Sequence, residues 1–217
     1  MMKRIVYILL IIATFAGQAF AASPNATPLL NMYAKRGYYT EKYTVLRADT
    51  SCRHGKYTLT YKNKPIEKGQ YTNGKKTGIW IYYNLNEQVE LKYDYDEQRP
   101  TFITKHIGKR YTDNTYPCLF LGSPLVPHHF ILRNIDFPLE EAENYKENSV
   151  VLTLEIDTLG RMTSYRLTQE SNKAFNDMVL QAAAKIPGNW EWVPARQNGR
   201  KVNSEYNISI IFESVKK

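Results

Sequence analysis

Cysteine is scarce in this chain: Cys52 and Cys118 are the only two in 217 residues. Two thiols support at most one disulfide and no cysteine-rich metal framework. Past residue 22 no apolar run approaches the ~20 residues a membrane helix needs. The chemical fingerprints of catalysis are missing as well. There is no nucleophile elbow, no His-Glu-x-x-His, no phosphate-cradling glycine loop and no dinucleotide signature. The acidic pairs Glu140-Glu141 and Asp94/Asp96 lie in polar stretches that would not tune a carboxylate for proton transfer. His54, His106, His128 and His129 show no ligand spacing with the cysteines, and His128-His129 beside Pro127 reads as a loop. We therefore expect no enzyme, no cofactor, no metal and no small-molecule substrate. The net charge of +8 is scattered, and no helix or sheet is patterned to read nucleic acid.

What the chain does contain begins with an address. Lys3 and Arg4 precede the apolar run Ile5 to Ala16, Gly17-Gln18 break it, and Ala19-Phe20-Ala21 supplies small residues at −3 and −1. This is the pattern of a secretory signal over residues 1–21, cut after Ala21 or Ala22. The rival is a retained anchor, because Ile5 to Ala22 spans 18 residues. No Cys follows the run, so a lipidated N-terminus is not expected. Losing Lys3 and Arg4 would lower the charge to +6. Export makes a Cys52–Cys118 disulfide an option. Closing that loop would contribute on the order of 4 kcal/mol in the chain-entropy picture.

Residues 22–50 open with a polar, Pro-containing lead-in. From there to residue 98 tyrosine is dense and glycine punctuates strand-like runs. Gly55 to Tyr61 alternates large and polar residues, Asn63-Lys64 marks a turn, and Ile66 to Tyr71 follows as a second strand. Asn73-Gly74 is a hairpin signal, since both residues accept positive φ. Gly78 to Tyr83 repeats the first pattern 23 residues after Gly55, and Val89 to Tyr95 gives another strand. The stretch Gly69-Gln70-Tyr71-Thr72-Asn73-Gly74-Lys75-Lys76-Thr77-Gly78-Ile79-Trp80 resembles the bacterial variant of the MORN repeat. That resemblance implies an array of β-hairpins over 51–98. Two readings of Tyr57, Tyr71, Trp80 and Tyr83 stay open: cover for one sheet face, or an exposed aromatic groove for a peptide or glycan.

Residues 99–131 contain Pro100, Pro117, Pro124 and Pro127 without a sustained period and read as a linker; Leu119-Phe120-Leu121 forms an apolar patch within it. Beyond it, Val150 to Ile156 is a strand, Asp157-Thr158-Leu159-Gly160 a tight turn, and Met162 to Leu167 the returning strand. Ser171 or Asn172 can cap a helix with Phe175, Met178/Val179, Ala182 and Ile186 on one face, stopped by Pro187-Gly188. Ser204 to Phe212 is the last strand. The order predicts one helix on a three-stranded antiparallel sheet, a ββαβ unit.

Phe137-Pro138, Asp157 with Gly160, Trp192 with Pro194, and Asn198-Gly199 occur in the order seen in the TonB C-terminal domain, which residues 132–215 resemble. The resemblance implies a periplasmic domain that binds a segment of an outer-membrane receptor by sheet-edge pairing. It treats Phe137, Pro138, Asp157, Gly160, Trp192, Pro194 and Gly199 as structural landmarks. The candidate edge strand contributes Ser204, Tyr206, Asn207, Ser209 and Ile211. The expectation is an α+β, non-enzymatic periplasmic protein that binds an envelope protein. The alternatives are an inner-membrane-anchored transport component and a structural, peptidoglycan-contacting envelope protein.

Overall fold

The computed structural model describes residues 29–104, 111–136 and 148–212. Its first half is a seven-stranded antiparallel sheet in which neighbours in sequence are neighbours in space. The strands are β1 (Leu29–Arg36), β2 (Tyr39–Leu46), β3 (Arg53–Tyr61), β4 (Lys64–Thr72), β5 (Lys75–Tyr83), β6 (Val89–Asp94) and β7 (Arg99–Ile103). Local chemistry dictates the reversals. Lys62 and Asn63 have φ of 48° and 67°, and Asn73 and Gly74 have 48° and 79°. Paired positive φ is the two-residue turn whose twist matches a hairpin. Between β5 and β6 the Asn84 side-chain oxygen accepts from the Asn86 and Gln88 N–H groups.

The sheet is larger than the repeat pattern alone implies. Residues 22–50 were expected to begin as a loose lead-in, yet Leu29–Arg36 pairs along its whole length with Tyr39–Leu46. Its side chains are mostly exposed, so no alternation signals it. At the other end β7 occupies part of the presumed linker.

The second half has β9 (Asn148–Ile156) at the centre of a three-stranded sheet, between β10 (Met162–Gln169) and β14 (Ser204–Phe212). Val150, Leu152, Leu154 and Ile156 alternate along β9 and are buried beneath α2 (Lys173–Ala183), which presents Phe175, Val179, Ala182 and Ala183. Asn172 caps α2 by accepting from the Phe175 N–H at 2.9 Å. Full burial of such a side chain contributes about 2 kcal/mol, so these two apolar rows hold the unit together. The order ββαβ is the one expected. A further helix, α1 (Leu125–Asn134), packs on α2 and β14 from upstream. It contains His128-His129, which were expected in a loop. Pro127 misleads because it sits in the first turn, where a helix N–H has no partner to lose.

Residues 111–121 bind the halves together. The short strand β8 (Leu119–Phe120) pairs with β11 (Trp192–Val193), and Tyr116 bridges Arg196, the first residue of β12 (Arg196–Gln197), which forms a small hairpin with β13 (Arg200–Lys201). Phe120 enters the core of the second half, while Tyr116 and Val193 join the aromatic cluster of the first. That cluster centres on Trp80, fully buried between Tyr57 (5.2 Å), Tyr71 (5.2 Å) and Tyr95 (5.7 Å). Gly69 lies under the indole, and a Cβ there would collide with it.

Polar contacts add direction to this joint. Lys76 donates to Tyr95 OH at 3.0 Å and pairs with Glu191 at 2.9 Å, with its ammonium 4.9 Å from the Trp80 ring centre. The Ser123 N–H donates to Glu67 at 3.2 Å and its hydroxyl to the Tyr83 carbonyl at 2.7 Å. Desolvation pushes the Glu67 carboxyl up to about 7, against the opposing pull of the Ser123 N–H and Lys76.

Two outcomes follow from this packing. Gly69→Ala should destabilise the fold by about 1–3 kcal/mol through overpacking against Trp80, read by urea denaturation. For Glu67, the folded value lies above the ordinary 4.5. Below the ordinary value both states are protonated, and above about 7 the folded state carries the full cost of the buried charge. Stability should therefore fall as pH rises from about 4.5 to about 7, by about 3 kcal/mol from this group. Glu67→Gln should flatten that slope and be the more stable form at the upper end. An unchanged slope in the variant refutes the assignment.

Candidate functional site: the open edge of β14

β14 pairs with β9 from Ser204↔Ile156 to Phe212↔Asn148 and, among the described residues, has no strand on its other side. An unpartnered strand carries a row of free N–H and C=O groups, because alternate residues direct theirs away from the neighbour. The sequence allows this because β14 is anchored by one face only. Ile208 and Ile210 are buried against the helices, and Tyr206 stacks on Trp192 at 4.8 Å. On the opposite face Asn207 accepts from the Thr153 hydroxyl at 2.9 Å, Ser209 is exposed, and Ile211 is 62% exposed. Glu205 pairs with Arg166 across the sheet at 2.5 Å.

The edge looks into a cleft. Four consecutive residues, Tyr206 to Ser209, line a space of about 460 Å³ with Leu85, Leu125 and His128. Consecutive residues from both faces can line one space only if the strand presents its edge to it. A second space, of about 400 Å³, continues past Glu205, Tyr206 and Asn207 toward Glu90, Leu91 and Ile103. The five candidate edge residues thus divide by role. Tyr206, Asn207 and Ser209 lie on the cleft. Ser204 sits further along, against Cys118, and Ile211 is exposed on the solvent-facing side.

The other singled-out residues are elsewhere. Trp80 is fully buried and Tyr57 is 6% exposed, so the sheet has no open aromatic groove at these two; Tyr71 and Tyr83 are half-buried. The segment 111–121 and the strand β11 cover that face instead. The landmark residues interlock: Asp157 accepts from the Leu159 and Arg161 N–H groups at 2.9 Å, and these bonds hold its carboxyl below the ordinary range. Gly160, at φ 78°, lies against the Trp192 carbonyl, where a Cβ has no room. Pro194 packs on the same turn. Gly199, at φ 80°, turns the hairpin between β12 and β13. Phe137, Pro138 and the cleavage site at Ala21 lie outside the described residues.

The optional bridge is not formed in this structure: Cys52 and Cys118 are both free thiols. Cys52 sits at the turn between β2 and β3, while Cys118 is enclosed with Phe120 and Ile131 in the core of the second half. Burial pushes the Cys118 thiol up to about 12, with the Ser204 hydroxyl drawing it back. At that value it holds almost no thiolate for exchange. Among the described residues no three His, Cys, Asp or Glu side chains converge as a metal site. Among them, too, no helix is long and apolar enough to cross a membrane.

Sequence reading missed the wall opposite β14. Leu85 and Glu90 fall in and after a polar turn, and Leu125 and His128 in an unrecognised helix, so only the tertiary arrangement assembles them. No curated protein and no solved structure matches the chain. Residues 133–214, which contain β9, β10, α2 and the open-edged β14, match the family model of the Gram-negative bacterial TonB protein C-terminal.

Proposed function

We propose that this chain is a non-enzymatic, periplasm-facing interaction protein that takes up an extended segment of an envelope protein as an added strand on β14. The observation that carries this reading is the edge of β14, unpaired among the described residues and facing a cleft, within a region that matches the TonB C-terminal family. Main-chain hydrogen bonds along the edge would supply much of the affinity, and the cleft walls the selectivity. An outer-membrane receptor segment is the partner class that the family match supports. The secretory pattern at residues 1–21 is consistent with delivery to that compartment.

One feature favours a second reading. The apolar stretch Ile5 to Ala22 is long enough to stay in the inner membrane and make the chain an anchored component of outer-membrane transport. N-terminal sequencing of the exported protein separates the two, since a start at Ala22 or Ser23 belongs to the free adaptor and an intact Met1 to the anchored form.

Strand addition is tested by cysteine scanning. Ser209→Cys in a Cys52→Ser background should crosslink to receptor-segment peptides at alternate peptide positions only, the period of two of an added strand. The buried Cys118 should stay silent. Crosslinking at every position, or at none, refutes edge pairing.

A further inference from the structure

The hairpin sheet supplies the second wall of the cleft, and the two cleft spaces adjoin. Both are lined by Pro124, Tyr206 and Asn207, so they lie end to end as a trough along β14 from Ser209 toward Glu205. Five strand residues span about 17 Å. Across from β14 stand Leu85 in the turn between β5 and β6, Glu90 and Leu91 on β6, and Ile103 on β7. Residues of the two halves therefore face each other across the trough, and anything lying against β14 also touches the hairpin sheet.

The trough is not uniform along its length. At the Ser209 end the walls are Leu85, 42% exposed, and Leu125, with His128 beside them. At the other end the charged residues lining it, among those described, are Glu90 and Glu205, in a chain whose net charge is +8. Glu205 is already held by Arg166. Glu90 is not matched in this way. It accepts from the Asn84 amide at 2.7 Å, and no cation pairs with it among the described residues. Its field reaches β14, where it adds to the burial that raises the Tyr206 hydroxyl. A half-enclosed carboxylate that accepts from a neutral amide favours an incoming cation.

We infer that the trough selects an extended segment carrying a Lys or Arg opposite Glu90 and, further along on the same face, an apolar side chain between Leu85 and Leu125. The inference rests on the strand-addition reading and assigns the chemistry of the added strand. The hairpin sheet, on this account, chooses the partner, while β14 offers a backbone edge that any extended chain could use. Association should also weaken with salt, as pairing with a partly solvated carboxylate does.

The probes are synthetic peptides of alternating Val and Thr with Lys, Met or Glu at the central position, titrated against the full chain purified in mild detergent. Fluorescence anisotropy gives the Kd and sedimentation the oligomeric state. The Lys peptide should bind about tenfold more tightly than the Met peptide, and the Glu peptide more weakly than either. Glu90→Gln, which keeps an acceptor for Asn84, should bring the Lys-to-Met ratio close to one. Leu85→Ala should weaken all three peptides together. Equal binding of Lys and Met peptides, or a ratio that survives both Glu90→Gln and Glu205→Gln, overturns the inference and leaves strand addition standing. A dimer with β14 covered by a second copy also overturns it. Binding of none of the peptides removes strand addition itself, and the inference with it.

Discussion

The enclosure of the Trp80 indole is the interaction on which the rest of the molecule depends. It is seated over Gly69, ringed by Tyr57, Tyr71 and Tyr95, and part of a cluster that Tyr116 and Val193 complete from the second half. A seven-stranded sheet covered on neither face would expose a row of tyrosines to water. Covering one face with residues 111–121 and β11 removes that surface and fixes the second half against the first. The orientation of β14 relative to Leu85 and Glu90 is a consequence of that burial. So is the trough.

The second constraint is the turn Asp157 to Gly160. Its carboxylate is satisfied by local N–H groups, and its glycine lets the Trp192 carbonyl approach closely. Trp192 in turn stacks on Phe120 at 5.0 Å and on Tyr206 at 4.8 Å. A chain of contacts thus runs from a surface turn through β11 to the open edge. The landmark residues set where β14 lies and what its inner face touches, and they leave its backbone edge unused.

Legibility in the sequence followed the range of the forces involved. The hairpins β3 to β6 were readable because alternation and positive-φ turn residues such as Asn73-Gly74 act within a few residues. The ββαβ order was readable for the same reason, with Asn172 as cap and an apolar row along α2. β1 was not, because both its faces are largely exposed and its pairing leaves no trace in side-chain pattern. α1 was hidden by Pro127 and paired histidines, whose helical tolerance depends on position within the first turn. β8 is two residues long, too short for any period, and its partner lies more than seventy residues away.

From the sequence alone came the address-like N-terminus, the hairpin chemistry and the order of elements in the second half. These depend on local propensity, turn geometry and the spacing of apolar residues, all of which are written within short windows of chain. Tertiary structure alone decided that the aromatic face is covered, that both cysteines are free, and that a wall carrying Glu90 stands across from β14. Those outcomes depend on which distant surfaces bury one another. Hydrophobic burial is non-directional, so no short window of sequence names the surface it will meet.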